Sequence, residues 1–289
     1  MVTNGRGSQG SGDVRNVLHL RCGDHPFERT PMTHRGALPA LPRLLALLLG
    51  LLLGPVLGLL ALASPVTAAD AWAGAPSEGD CYRATFKQVY QAALNIDAVP
   101  CKKTHQVVVL KTGLLPADTD WSDETAVLAE IGDRCDPSFA KVYGSPTTAF
   151  RTLYGAFIFR PTDAQLDRGA RWYRCDMTLL KSDAALAPLP ATLLKVTAAN
   201  VGRASRRSVG RCVSAKYATT LCSHAHVARA TGTFVAKKLS KNDSKAAKQV
   251  AKKTKAQCPR LTTTDQWFYS WRRLSATTAV VACFSRTSN

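Results

Sequence analysis

The sequence predicts an α+β protein: two tandem small disulfide-stapled domains, each an antiparallel sheet with one main helix, after an N-terminal apolar helix. Three observations predict it. Nine cysteines stand at 22, 81, 101, 135, 175, 212, 222, 258 and 283, and the last eight divide into two sets of four with similar neighbours in the same order. An uncharged apolar run at 44–63 precedes both sets. Within each set, apolar residues spaced by four alternate with strand-like runs, the pattern of a helix packed on an antiparallel sheet.

Taken in order, residues 1–31 read as neither leader nor domain, and we treat them as an over-long, unstructured start. A start at Met32 gives "MTHRGALPALPR" as an ordinary basic leader and removes Cys22, the odd cysteine. Residues 32–69 then run from Arg35 and Arg43 through the apolar stretch "LLALLLGLLLGPVLGLLALA" into small residues. That is the order of an export signal, with cleavage-type triplets at Val66-Thr67-Ala68 and Thr67-Ala68-Ala69. At about 1.5 Å per helical residue the run is also long enough to span a bilayer. Two fates follow: secretion after cleavage near Ala69, or retention by a single-pass anchor at 44–63. In both, the remainder reaches an oxidising, extracytoplasmic side where disulfides persist.

The first domain is expected at 70–186, a connection at 187–206 and the second domain at 207–289. Each opens with a glycine-flanked turn into a cysteine, "EGDCYRATF" and "SVGRCVSAKY". Each second cysteine has a histidine four residues on, in "CKKTH" and "CSHAH". Each third cysteine closes a helical segment: Val127, Ile131 and Cys135 after a Ser122 cap, and Val250, Thr254 and Cys258 after Asp243-Ser244. "AFRTLYGAFIFRPT" and "QWFYSW" are third strands. The fourth cysteines sit in the strand-like "ARWYRCDMTLL" and "TTAVVACFSRT". Repetition of these features in one order reads as a tandem duplication.

Cys-x-x-x-His invites a zinc reading, but the following Val107-Val108-Val109 and the preceding Pro100 argue for extended chain. Extended, Cys101 and His105 lie roughly 13 Å apart at 3.3 Å per residue, too far to share an ion. A redox centre would show C-x-x-C at a helix start, and no C-x-x-C exists in the chain. No metal, cofactor or catalytic cysteine is expected. A structural framework remains, with three connectivities open within each set. We favour Cys81–Cys101 with Cys135–Cys175, and Cys212–Cys222 with Cys258–Cys283, which ties first strand to second and helix end to last strand. His105 and His226 then face a carboxylate or carbonyl at the sheet rim, and they are also the candidates for ligand contact.

With Gly79-Asp80-Cys81, Val99-Pro100-Cys101, His105, Cys135, Pro161, Gly169, Arg171 and Cys175 in place, residues 75–180 resemble the septum-formation-related domain of actinobacterial envelope proteins. Leu166 stands where that family usually has Trp. The second half, 207–285, is a degenerate match that keeps Gly210-Arg211-Cys212, Leu221-Cys222, His226, Cys258 and Cys283 but lacks Gly-x-Arg. The resemblance implies one membrane segment with an extracellular domain and a link to cell division and the cell envelope. It implies no catalytic residues.

Charge is divided unequally. Residues 70–186 hold 13 Lys+Arg against 15 Asp+Glu, while residues 187–289 hold 19 against 2. Lys241, Lys245, Lys248, Lys252 and Lys255 recur at helical spacing. A solvated face explains lysine, yet a like-charged stripe with no acid at i±4 repels itself. Docking on an anionic surface explains the stripe: lipid headgroups or wall polymers, at about 1 kcal/mol per Lys near a charged membrane. No nucleic-acid partner is expected outside the cell, and partners from division or envelope machinery are. Trp267, Tyr269 and Trp271 alternate on one strand face, as core or as a stacking platform for glycans. No G-x-S-x-G, H-E-x-x-H or phosphate loop occurs. Asp120, Asp123 and Glu124 suit a helix N-terminus. The expected function is a non-enzymatic binding module of the envelope; the alternative is a glycan hydrolase or other envelope enzyme using an acid of the first half.

Overall fold

The computed structural model describes residues 68–197 and 208–287. The readings on the start at Met32, Cys22, the apolar run at 44–63 and residues 198–206 of the connection lie outside the described residues. Among the described residues, no helix is long and apolar enough to cross a membrane.

The first half runs α1 (Ala68–Ala71), β1 (Cys81–Tyr82), α2 (Phe86–Val89), β2 (Ala98–Val99), β3 (Val107–Leu114), α3 (Glu124–Tyr143), α4 (Pro146–Ala149), β4 (Tyr154–Phe159), α5 (Asp163–Leu166), β5 (Trp172–Ser182) and β6 (Ala185–Ala187). The second runs β7 (Arg211–Val213), β8 (Thr219–Leu221), β9 (Ala228–Ala236), α6 (Asp243–Leu261), β10 (Trp267–Ser275) and β11 (Thr278–Arg286). One antiparallel sheet is ordered β2-β1-β3-β5-β4, with β6 added on β5; the other is ordered β8-β7-β9-β11-β10. The two paths are the same, strand for strand. Even the irregularity repeats. The β3–β5 ladder skips Leu110 beside the Lys111↔Cys175 pair, and the β9–β11 ladder skips Thr231 beside Gly232↔Cys283. An extra residue on one strand of an antiparallel pair is a β-bulge.

Four disulfides close at Cys81–Cys101, Cys135–Cys175, Cys212–Cys222 and Cys258–Cys283, with Cα–Cα separations of 5.3, 5.4, 5.0 and 5.4 Å. Cys101 and Cys222 sit in turns rather than entering strands. Lys103 N–H donates to Pro100 O, and His224 N–H donates to Leu221 O, so β3 and β9 begin only after the histidines.

The helices start one residue away from the expected caps. Asp123 Oδ1 accepts the Ala126 N–H at 3.0 Å, because the Ser122 hydroxyl is turned to Asp120 at 2.6 Å. In α6 the cap is Asn242, which accepts the Lys245 N–H at 3.0 Å. Cys135 does not close its helix. α3 continues through Pro137 because Phe139, Val142 and Tyr143 keep the buried stripe going, and it ends at Gly144. Packing of that stripe outweighs the hydrogen bond a proline removes.

Each sheet has two faces. Tyr173, Cys175, Met177 and Leu179 of β5 form one core with Val127, Ile131 and Phe139 of α3. Ala279 and Val281 of β11 do the same with Ala246 and Val250 of α6. The outer faces are covered differently. In the first half, residues 83–97 form α2 and a loop, and Val89 and Leu94 close over Tyr82, Val107, Val109, Phe157 and Phe159. In the second, only 214–218 stand at that place, and Phe150 of the first half covers Ala228, Ala230, Val280, Ala282 and Phe284 instead.

Phe150 falls inside the stretch expected as a strand from Ala149 to Thr162. The segment instead turns through α4, and β4 starts at Tyr154. Here the halves are joined. Thr152 bridges Gly210, Leu153 N–H donates to Val209 O at 2.8 Å, and Arg211 N–H donates to Arg151 O at 2.9 Å. The guanidinium carbons of Arg211 and Arg272 lie 4.6 and 5.3 Å from the Phe150 ring centroid. Burial pushes both groups down to about 10, and for Arg211 the charge of Arg272 adds to the effect. The described part of the connection lies on the first half, with Leu189 and Val196 buried in its core.

Candidate functional site

Two places on the molecule carry chemistry beyond what the fold requires. One is the outward face of α6. Its inward stripe is Ala246, Val250, Thr254 and Cys258, all buried. At about 100° per residue, Lys245, Lys248, Lys252 and Lys255 fall on the opposite side, and all four are exposed. Lys241 is exposed too but precedes Asn242, so it belongs to the approach and not to the helix. None of the five makes an ion pair among the described residues. The one acid of the first turn, Asp243, is held by Arg273 at 2.8 Å.

The other residues singled out from the sequence take structural positions. His105 is 3% exposed, and its Nδ1 lies 2.9 Å from Lys103 O; His226 Nδ1 lies 2.7 Å from His224 O. A carbonyl only accepts, so Nδ1 is the donor in both. Trp271 packs into the core beneath α6, while Tyr269 on the edge strand is 37% exposed and 6.5 Å, ring to ring, from Trp267. Asp120 accepts from the Ser122 hydroxyl and N–H, which hold its carboxyl below the usual range. Asp123 caps α3, and Glu124 lies 3.9 Å from Arg160.

The second place is a cleft of about 230 Å³ at one end of the first sheet, lined by Asp80, Tyr82, Leu94, Ile96, Trp172 and Arg174 among others. Its mouth is built by the turn before β1. Gly79 takes φ +90, a backbone open to glycine, and Asp80 Oδ2 accepts the Ser77 N–H at 2.8 Å and the Tyr82 hydroxyl at 3.5 Å. Its rim is the segment after α1. Trp172 Nε1 donates to Ala73 O, and Gln165 Nε2 donates to Gly74 O. A Cβ on Gly74 would stand 2.4 Å from that same Nε2.

The floor is Arg174, 2% exposed, with Asp176 behind it at 0%. Arg174 Nε donates to both carboxylate oxygens at 2.9 and 3.0 Å, and Nη2 adds a further bond. The guanidinium carbon lies 4.4 Å from the Tyr82 ring centroid and 5.2 Å from that of Phe159. Burial pushes the Asp176 carboxyl up and the guanidinium pulls it back; the hydrogen-bonded geometry is that of an ion pair. Burial also raises the Tyr82 hydroxyl above its ordinary value.

The chain matches the family described as septum formation over residues 78–285, which takes in both sheets. The chain belongs to the septum formation family. No curated protein and no solved structure matches it. In this septum formation protein, the cleft gathers residues that lie beside the cysteines. Asp80 and Tyr82 flank Cys81, and Arg174 and Asp176 flank Cys175. The four disulfides mark an extracellular or envelope location. Cysteine placement alone did not single out the cleft. The signal available was the mismatch between the halves at equal offsets, "GDCY" against "GRCV" and "WYRCD" against "VVACF".

Proposed function

We propose that this protein is exported and works at the cell envelope as a non-enzymatic binding module in septum formation, with α6 docking on an anionic surface. The observation that carries this reading is the face of four exposed, unpaired lysines on α6 opposite its buried stripe. Like charges at i±3 and i±4 weaken a helix by a few tenths of a kcal/mol each, so the face costs stability unless an anion meets it. Phosphate-bearing lipid headgroups and wall polymers share the required chemistry. The matching strand paths, bulges and disulfides support an origin of the halves by duplication, with the second half turned basic.

Binding rather than catalysis is favoured by the acids of the first half. Asp120, Asp123 and Glu124 are engaged at the start of α3. The test uses the full chain and a variant with Lys245, Lys248, Lys252 and Lys255 changed to Gln. Co-sedimentation is measured with vesicles containing phosphatidylglycerol and, separately, with purified walls. We expect retention on one of the two, lost in the variant and weakened by salt, and unchanged in Asp120→Asn. Equal retention of parent and variant would sink the docking. Turnover of purified peptidoglycan, abolished by one acidic substitution, would replace it with an enzyme.

A further inference from the structure

The two halves solve one packing problem in two ways. At equal offsets from the paired cysteines, Asp80, Tyr82, Trp172, Arg174 and Asp176 of the first half correspond to Arg211, Val213, Val280, Ala282 and Phe284 of the second. The ladders agree: Asp176 pairs Val109 and Phe157, while Phe284 pairs Ala230 and Phe268. Ala282 and Phe284 fill those two positions with apolar atoms, and the buried charges of the second half, Arg211 and Arg272, lie instead against Phe150. A buried ion pair costs several kcal/mol per ion in desolvation, and a well-packed apolar replacement is often as stable or more so. The strand path therefore does not require the Arg174–Asp176 pair. In the first half, Arg174 of that pair lines the cleft.

The groups around the cleft define what fits. Asp176 occupies Nε and Nη2 of Arg174 and the Tyr82 hydroxyl is the guanidinium's other partner, so Nη1 is the nitrogen a ligand would share with that hydroxyl. Asp80 accepts its two protein bonds on Oδ2, which leaves Oδ1 as an acceptor. Leu94, Ile96 and Trp172 supply apolar wall. Arg174 is already neutralised, and Asp80 stands beside it, so a carboxylate or phosphate gains no net attraction. What suits the cleft is a neutral group with an acceptor, a donor and a short apolar end.

We propose that the cleft binds the acetamido group of an N-acetylated amino sugar. Its carbonyl accepts from Arg174 Nη1, its N–H donates to Asp80 Oδ1, and its methyl meets Leu94 and Ile96. A pendant acetamide presents its carbonyl, N–H and methyl together at the end of one bond, whereas a peptide amide carries chain on both sides. The site is separate from the lysine face of α6, and either can fail without the other.

The test is calorimetric titration of the full chain, disulfides intact, with the tetramer of N-acetylglucosamine, the fully de-acetylated tetramer and N-acetylalanine methylamide. We expect saturable binding of the acetylated tetramer and at least about tenfold weaker binding of the other two, the loss that follows one hydrogen bond to a charged group. Asp80→Asn, at the mouth, should keep the fold and weaken binding about tenfold. Arg174→Ala alone would strand Asp176, so the informative variant is Arg174→Ala with Asp176→Phe, which copies the second half. It should keep or raise the thermal midpoint and lose binding, while the four-Lys variant binds sugar like the parent. No saturable binding, equal binding by the de-acetylated tetramer, preference for the methylamide, or a double variant that unfolds would each overturn the proposal.

Discussion

The first half of the molecule covers the outer face of its sheet with its own residues, whereas the second borrows Phe150 for that face. Their strand order, bulge position and disulfides agree. The difference lies between the first two strands, where 83–97 stand against 214–218. A short turn cannot fold back over the sheet, so Val280, Ala282 and Phe284 would face water without Phe150. The same strand path thus supports one half that can hold a polar pair under its cover and another with an apolar face that depends on its neighbour.

The largest expected effect breaks that dependence. Phe150→Ala should cost about 3–5 kcal/mol and fall mainly on the second half. Thermal unfolding followed by hydrogen exchange should then show 208–287 opening before 68–197. Uniform loss across both halves would mean that they do not differ as described. Replacing Cys258 and Cys283 by Ala should cost about 2–4 kcal/mol, and the Cys135–Cys175 bridge slightly more, because loop-closure entropy grows with the enclosed length. Their sequence separations are 25 and 40. Chemical denaturation measures both, and an unmoved midpoint in either would contradict the account of small cores held by cross-links.

Arg272→Met sharpens the comparison from the other side. The guanidinium is buried against Phe150 with its Nε unpartnered among the described residues, so its removal should stabilise the fold by about 1 kcal/mol. Its folded pKa of about 10 lies below the ordinary arginine value. Between those values the unfolded chain holds a proton that the folded one has lost, so stability from this residue rises with pH. The advantage of Arg272→Met should be constant below about pH 10 and shrink above it. A difference that grows with pH would reverse the sign and sink the assignment. The smallest effects are the caps: Asp123→Ala and Asn242→Ala should each cost about 1 kcal/mol, readable as a lowered helical signal at partial denaturation.

The cysteine framework was legible in the sequence because each half-cystine has a fixed place relative to a turn, a helix or a strand. The buried stripe of α6 was legible for the same reason, since Val250, Thr254 and Cys258 declare a helical face by spacing alone. The end of α3 was not, because Pro137 reads as a stop and only the burial of Phe139 and Tyr143 carries the helix past it. Nor was the place of Lys241, since a cap one residue along removes it from the helix. Arg174 and Asp176 lay in a run read only as a strand holding a cysteine. Their meeting with Asp80 and Tyr82 depends on β1, β3 and β5 lying side by side.

By itself the sequence determined what local spacing and chemistry can encode: eight cysteines in two ordered sets, a helix and strands in each half, and a division of charge between them. Only the tertiary structure decided which residue covers which face. Phe150 reaches a sheet formed by strands far along the chain, and Arg174 becomes the floor of a cleft because Asp80 approaches from the far side of β3. Such contacts join residues of large sequence separation, and no periodicity records them.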